Sequence, residues 1–109
     1  MTESNEAERR LEELLKPLKI QFQKELVERV ATLSKCRTKL YVDNNSDTLE
    51  EISSLAHKLA GAGTTFGFPN ISIYGKDLER AILFDSDVDL SKIEKSLDIL
   101  INECENSLI

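Results

Sequence analysis

The sequence has no tryptophan, one histidine, one methionine, two cysteines, two prolines and four glycines in 109 residues. So few turn formers exclude an all-β sandwich or barrel, which needs a turn signal every ~8–12 residues. Cys36 and Cys104 stand far apart, with no C-x-x-C and no neighbouring ligand residues. That is neither a disulfide framework nor a zinc site, so no metal is expected. No apolar run approaches the ~18 residues of a membrane span. Met1 to Arg10 is polar and acidic, without the apolar core of a signal peptide. Basic residues are short as well: fourteen Lys and Arg against twenty Asp and Glu leave a net charge of -6. Nucleic acids and anionic membrane surfaces both require clustered positive charge, so neither is an expected partner. The expectation is a soluble, cytoplasmic chain.

What is present is apolar periodicity. Hydrophobic residues make up 40% of the chain, too many for disorder. The length suits one domain, 1–109, with its core over about 9–107. Asn5, with Glu8 as a capping-box partner, predicts a short first helix carrying Leu11, Leu14 and Leu15 up to Pro17. A second stripe runs through Leu18, Phe22, Leu26, Val30, Leu33 and Leu40 in steps of three, four and seven. Residues 43–47 read as a loop, with Asp47 capping a third helix that buries Ile52, Leu55, Ala56, Leu59 and Gly63. In Phe66-Gly67-Phe68-Pro69, Gly67 suits the left-handed position after a helix and Pro69 the first turn of the next. That fourth helix uses Ile71, Tyr74, Leu78 and Ile82. Asp85, Asp87 and Asp89 read as caps and solvated charges rather than a metal site. The last helix, capped by Ser91, Asp87 or Asp89, has Leu90, Ile93, Leu97, Leu100, Cys104 and Leu108 on one stripe. Both cysteines thus read as buried small hydrophobes. The expected fold is all-α: an antiparallel up-down-up-down four-helix bundle, with the short N-terminal helix packed across one end.

His57 lies about 200° around the helix from both Leu55 and Leu59, away from the apolar stripe. A lone helical histidine in that position is ordinarily a solvated surface residue. Its neighbours argue for more. Ser54 and Gly61 share its face, and a helix-interior glycine costs about 1 kcal/mol relative to alanine. Small residues around an outward imidazole leave room for another molecule. Lys58 adds a cation at the flank and Thr64 a hydroxyl one turn beyond Gly61. Gly63, on the Leu59 side, reads as a packing glycine.

The stretch Ala56-His57-Lys58-Leu59-Ala60-Gly61, continued to Gly67 and later by Leu78-Glu79, resembles a histidine-containing phosphotransfer domain of bacterial two-component phosphorelays. The family pattern is a helical histidine, a hydrophobic residue two later, a glycine four later and another ten later. Leu59, Gly61 and Gly67 stand at those spacings. The resemblance implies that His57 accepts a phosphoryl group from a receiver-domain aspartate and passes it to another receiver, with a hybrid sensor histidine kinase upstream. Many family members carry lysine directly before the glycine; here Ala60 stands there, and Lys58 is expected to stabilise charge instead. Ser54, Gly61 and Thr64 are expected at the docking surface. An exposed imidazole is largely neutral at cytoplasmic pH, as a nucleophile must be. The chain has no nucleotide loop and no kinase motif. It therefore reads as a carrier rather than an enzyme, monomeric and without a cofactor, the Mg²⁺ lying in the partner receiver. The rival reading is a non-catalytic scaffold of the same fold that binds a receiver or kinase domain.

Overall fold

The computed structural model describes residues 2–42, 46–84 and 87–109. The loop residues 43–45 and 85–86 read from the sequence lie outside them. Four helices follow one another: α1 (Thr2–Thr38), α2 (Ser46–Gly63), α3 (Pro69–Leu83) and α4 (Leu90–Asn106). α1 packs on α2, α2 on α3, α3 on α4 and α4 back on α1, closing a ring around one core. Gln23 of α1 donates to the Ser107 carbonyl, whereas Arg37 pairs with Glu94 and Asp98, so α1 and α4 run in opposite directions. The core holds the expected stripes from Phe22 onward, whereas Leu11, Leu14 and Leu18, expected to face it, are 56%, 72% and 52% exposed on the part of α1 beyond its partners. Phe22, Leu26, Leu33 and Leu40 meet Ile52, Leu55, Leu59, Ile71, Leu78, Ile93, Leu97 and Leu100, with Cys36 and Cys104 buried among them.

The separate first helix does not form. α1 runs unbroken through Pro17, and Asn5 lies inside it rather than at its cap. Proline removes one N–H and crowds the carbonyl four residues back. Here Glu13 and Pro17 are both exposed, so that carbonyl has water within reach. Residues 6–16 are almost all strong helix formers, which carries the helix across the defect. Nor does the N-terminal segment lie across the bundle end. At 1.5 Å per residue, α1 is about 55 Å long, while its three partners reach at most about 27 Å. The molecule's long axis of 58 Å is therefore set by α1 projecting beyond the bundle.

The caps refine two expectations. Asp47 sits inside the first turn of α2, one residue after Ser46, where a carboxylate still favours the positive helix end. At α4, Asp89 is the cap, its side chain accepting from the Ser91 and Lys92 N–H groups, and Ser91 lies within the helix.

The turn between α2 and α3 fixes the end of the bundle nearest the projection. Phe68 N–H donates to the Gly63 carbonyl at 2.7 Å and Gly67 N–H to that of Thr64 at 3.2 Å, with Gly67 at φ +90°. This Schellman arrangement needs the left-handed residue that only glycine adopts freely. Phe66 and Phe68 then fold back on Phe22, with ring centroids 5.2 and 5.8 Å away. Pro69 opens α3 in its first turn.

Candidate functional site

α2 turns its apolar stripe to the core, which leaves His57 on the outside with its side chain 74% exposed. The imidazole is not free, however. Its Nδ1 lies 2.8 Å from Oε2 of Glu79 on α3, a carboxylate only 18% exposed. With the imidazole neutral, that contact needs the proton on Nδ1, which leaves the Nε2 lone pair outward and unprotonated. The hydrogen bond thus selects a tautomer and a ring orientation, as the carboxylate does in a Ser-His-Asp triad.

Close approach of two backbones makes the contact possible. A Cβ built on Gly75 would fall 2.9 Å from the Ala56 carbonyl oxygen and 3.0 Å from the Ala60 nitrogen. Only a residue without a side chain fits there. Glu79 stands one turn beyond Gly75, and His57 directly follows Ala56, so the seam that needs Gly75 also sets the two side chains together. Gly63 serves the same seam further along: a Cβ there would meet Ser72 and the Phe68 carbonyl oxygen at 2.7–2.8 Å. Ser72 Oγ in turn accepts the Thr64 N–H at 2.7 Å.

Gly61 is different. A Cβ there would have nothing within 4 Å. Packing does not require glycine at this position, which lies exposed one turn from His57 on the same face.

An exposed imidazole held by a largely buried carboxylate thus stands one turn from a bare glycine on the outside of a four-helix ring. The sequence model of the Hpt domain family matches residues 4–107, nearly the whole chain. The chain belongs to the Hpt domain family. Hpt domains serve as phosphoryl carriers in phosphorelays, where they interact with receiver domains and kinases, and they are generally not enzymes. No curated protein and no solved structure matches the chain.

The other residues singled out in the Hpt sequence fall in two places. Ser54 and Lys58 line a shallow groove along α2 with Asp47, Glu50, Glu51 and Leu55. Glu51 also bonds the Cys36 thiol of α1, so this groove lies on the α1 flank of α2, while His57 leans toward α3. The Lys58 ammonium therefore shares its groove with three carboxylates. Thr64, seven residues and about 10 Å of helix rise from His57, lines the wide groove between the α2–α3 turn and the projecting half of α1. Ala60, where a lysine is common in the family, has its main chain against Gly75.

Two Hpt site features escaped the sequence reading. Glu79 stood there only as part of the resemblance, without a role. Gly75 was the usable signal: a glycine inside a helix, four residues before a carboxylate on the same face. On α3, Lys76 and Arg80 border a shallow groove with Glu79 and Phe84, so cations flank the pair on this side too. Among the described residues, no group of three or more His, Cys, Asp and Glu is placed to hold a metal ion. No helix there is long and apolar enough to cross a membrane.

Proposed function

We propose that His57 is the phosphoryl acceptor, taking the group from a phosphoaspartate on one receiver domain and passing it to the aspartate of another. The observation that carries this reading is the exposed imidazole whose Nδ1 is held by Glu79. Nε2 attacks phosphorus in line, an N–P bond forms, the aspartyl O–P bond breaks, and the carboxylate leaves. No proton has to move. Nδ1 keeps its hydrogen, the phosphorylated ring gains positive charge, and the Glu79 carboxylate beside it stabilises that charge. Transfer through such a loose transition state is mostly positioning and charge neutralisation. Lys58 supplies a cation from α2, Lys76 and Arg80 stand on α3, and Mg²⁺ is held by the receiver's own acidic pocket. Ser54, Gly61 and Thr64 form the rim against which the receiver docks. A hybrid sensor kinase upstream and a cytoplasmic site of action complete the reading, and the chemistry itself needs one copy of the chain.

The test is transfer of labelled phosphate from a phosphorylated receiver. The label should be acid-labile and base-stable, and absent from His57→Gln. Equal labelling of that variant overturns the assignment, and a chain that binds receivers without ever accepting label is a scaffold. The Glu79 role has its own readout. Imidazole ¹⁵N chemical shifts should report the Nδ1–H tautomer, and Glu79→Ala should move the ring toward Nε2–H while the melting temperature stays within a few degrees.

A further inference from the structure

The seam between α2 and α3 decides which cation faces the imidazole. Gly75 lies against the main chain of Ala56 and Ala60, and Gly63 lies against Ser72, so the two helices run in opposite directions. Lys76 follows Gly75 as His57 follows Ala56, each turned about 100° away from the seam. In an antiparallel pair these two turns lead to the same side. Lys76 therefore stands across the seam from His57, at the same level along the bundle. Glu79, one turn further on α3, shows that side chains there reach the ring, since its Oε2 lies 2.8 Å from Nδ1. Lys76 and Glu79 line one groove. Lys58 is turned a further 100° around α2 and lies in the groove of Asp47, Glu50 and Glu51 instead.

The chemistry at this spot calls for a cation. A phosphoryl group on Nε2 brings negative oxygens to a ring whose other nitrogen is already held by a carboxylate. Glu79 cannot withdraw without releasing the tautomer, so the repulsion has to be offset from beside it. We propose that the Lys76 ammonium is the cation that meets the phosphoryl oxygens at His57, with Lys58 acting only at longer range. The proposal rests on His57 being the phosphoryl acceptor. Helices in contact without side chains between them lie at the short end of helix packing, about 8 Å axis to axis. The flexible four-carbon stem of a lysine spans such a gap. Among the described residues Lys76 has no ion pair or hydrogen bond of its own, so its ammonium is available.

Lys76 moves no proton in this role. Nε2 attacks phosphorus, the N–P bond forms as the aspartyl O–P bond breaks, and the ammonium keeps its three hydrogens throughout. The same contact serves the return step, in which the aspartate of the next receiver attacks and the neutral imidazole leaves. Charge stabilisation is much of what catalyses a loose phosphoryl transfer. At an exposed position one cation contributes on the order of tenfold in rate, less than a buried donor does.

Two donors test the proposal on the whole chain: a phosphorylated receiver, and phosphoramidate, a small donor that releases ammonia and needs no docking surface. Lys76→Met should slow labelling of His57 by both, on the order of tenfold. Lys76→Arg keeps the charge and should recover most of the rate. Lys58→Met should slow labelling less than Lys76→Met does. Lys95→Met, the same charge change on α4, which does not touch α2, should leave it unchanged. Melting temperatures should hold, because Lys76 is exposed. In NMR spectra, phosphorylation should shift the Lys76 side-chain resonances more than those of Lys58. Wild-type labelling rates for Lys76→Met overturn the proposal. A variant slow with the receiver but normal with phosphoramidate also overturns it, because Lys76 is then a docking contact. A wild-type chain that takes label from neither donor, or a His57→Gln variant that labels equally, overturns the carrier reading itself.

Discussion

Gly61 offers the sharpest separation of stability from function. A glycine inside a helix leaves it about 1 kcal/mol less stable than alanine would, because the unfolded chain keeps more freedom. The gain from a side chain is cancelled only where that side chain collides. At Gly61 a Cβ meets nothing within 4 Å. Gly61→Ala should therefore stabilise the protein by about 0.5–1 kcal/mol, which for a domain of this size raises the melting temperature by roughly 2–6 °C. Gly61→Gln, nearly as good a helix former, should melt at or above the wild-type temperature. Its longer side chain stands one turn from His57 on the surface where a receiver must settle. Transfer should slow at least tenfold, equivalent to about 1.4 kcal/mol of barrier. Thermal melts and transfer kinetics on the same preparations decide the matter. A lower melting temperature for Gly61→Ala would mean that the glycine is a packing contact and that the face assignment fails. A stable Gly61→Gln that transfers at the wild-type rate would remove its role in access.

Gly75 should respond in the opposite sense: alanine there drives a Cβ into the Ala56 carbonyl oxygen at 2.9 Å, so Gly75→Ala should lose about 1–3 kcal/mol in denaturant titrations and weaken the Nδ1–H tautomer signal of His57. Lys58→Ala, on an exposed face, should change stability by no more than about 0.5 kcal/mol while slowing transfer; an unchanged rate would make this lysine a solvated charge. Burial pushes the Cys104 thiol up to about 12, well above the ordinary thiol range near 9. Stability should thus be indifferent to this group below pH 9 and fall between pH 9 and 12, where the unfolded thiol ionises and the folded one does not. The slope of stability against pH in that window should be shallower in Cys104→Ala.

The bundle was legible because each core stripe is a local repeat. Ile52, Leu55, Ala56, Leu59 and Gly63 all face inward as their spacing says, and Gly67 takes the left-handed turn that Phe66-Gly67-Phe68-Pro69 implies. The outward direction of His57 followed from the same arithmetic. Pro17 misled because a proline reads as a break wherever it stands, whereas its effect depends on whether the orphaned carbonyl can reach water. Leu11 and Leu14 misled for a related reason: helical periodicity says that a stripe is apolar, not that the chain itself covers it. The His57–Glu79 contact joins residues 22 positions apart on different helices. No local pattern encodes it, since it depends on how closely two backbones approach. Only Gly75 hints at that approach.

The seam at Gly75 has a consequence for how the protein can vary. α2 and α3 are set against each other there by main-chain atoms, the Ala56 carbonyl and the Ala60 nitrogen, with no rotamer between them. The spacing of imidazole and carboxylate is then referenced to the backbone, not to the fit of the core. Buried leucines on the far side of the ring, such as Leu97 and Leu100, can drift in size and shape, raising or lowering the melting point while the ring of His57 keeps its orientation. Robustness and chemistry are drawn from different parts of the same small bundle. A lineage is free to retune one for a hotter or colder habitat without recalibrating the other.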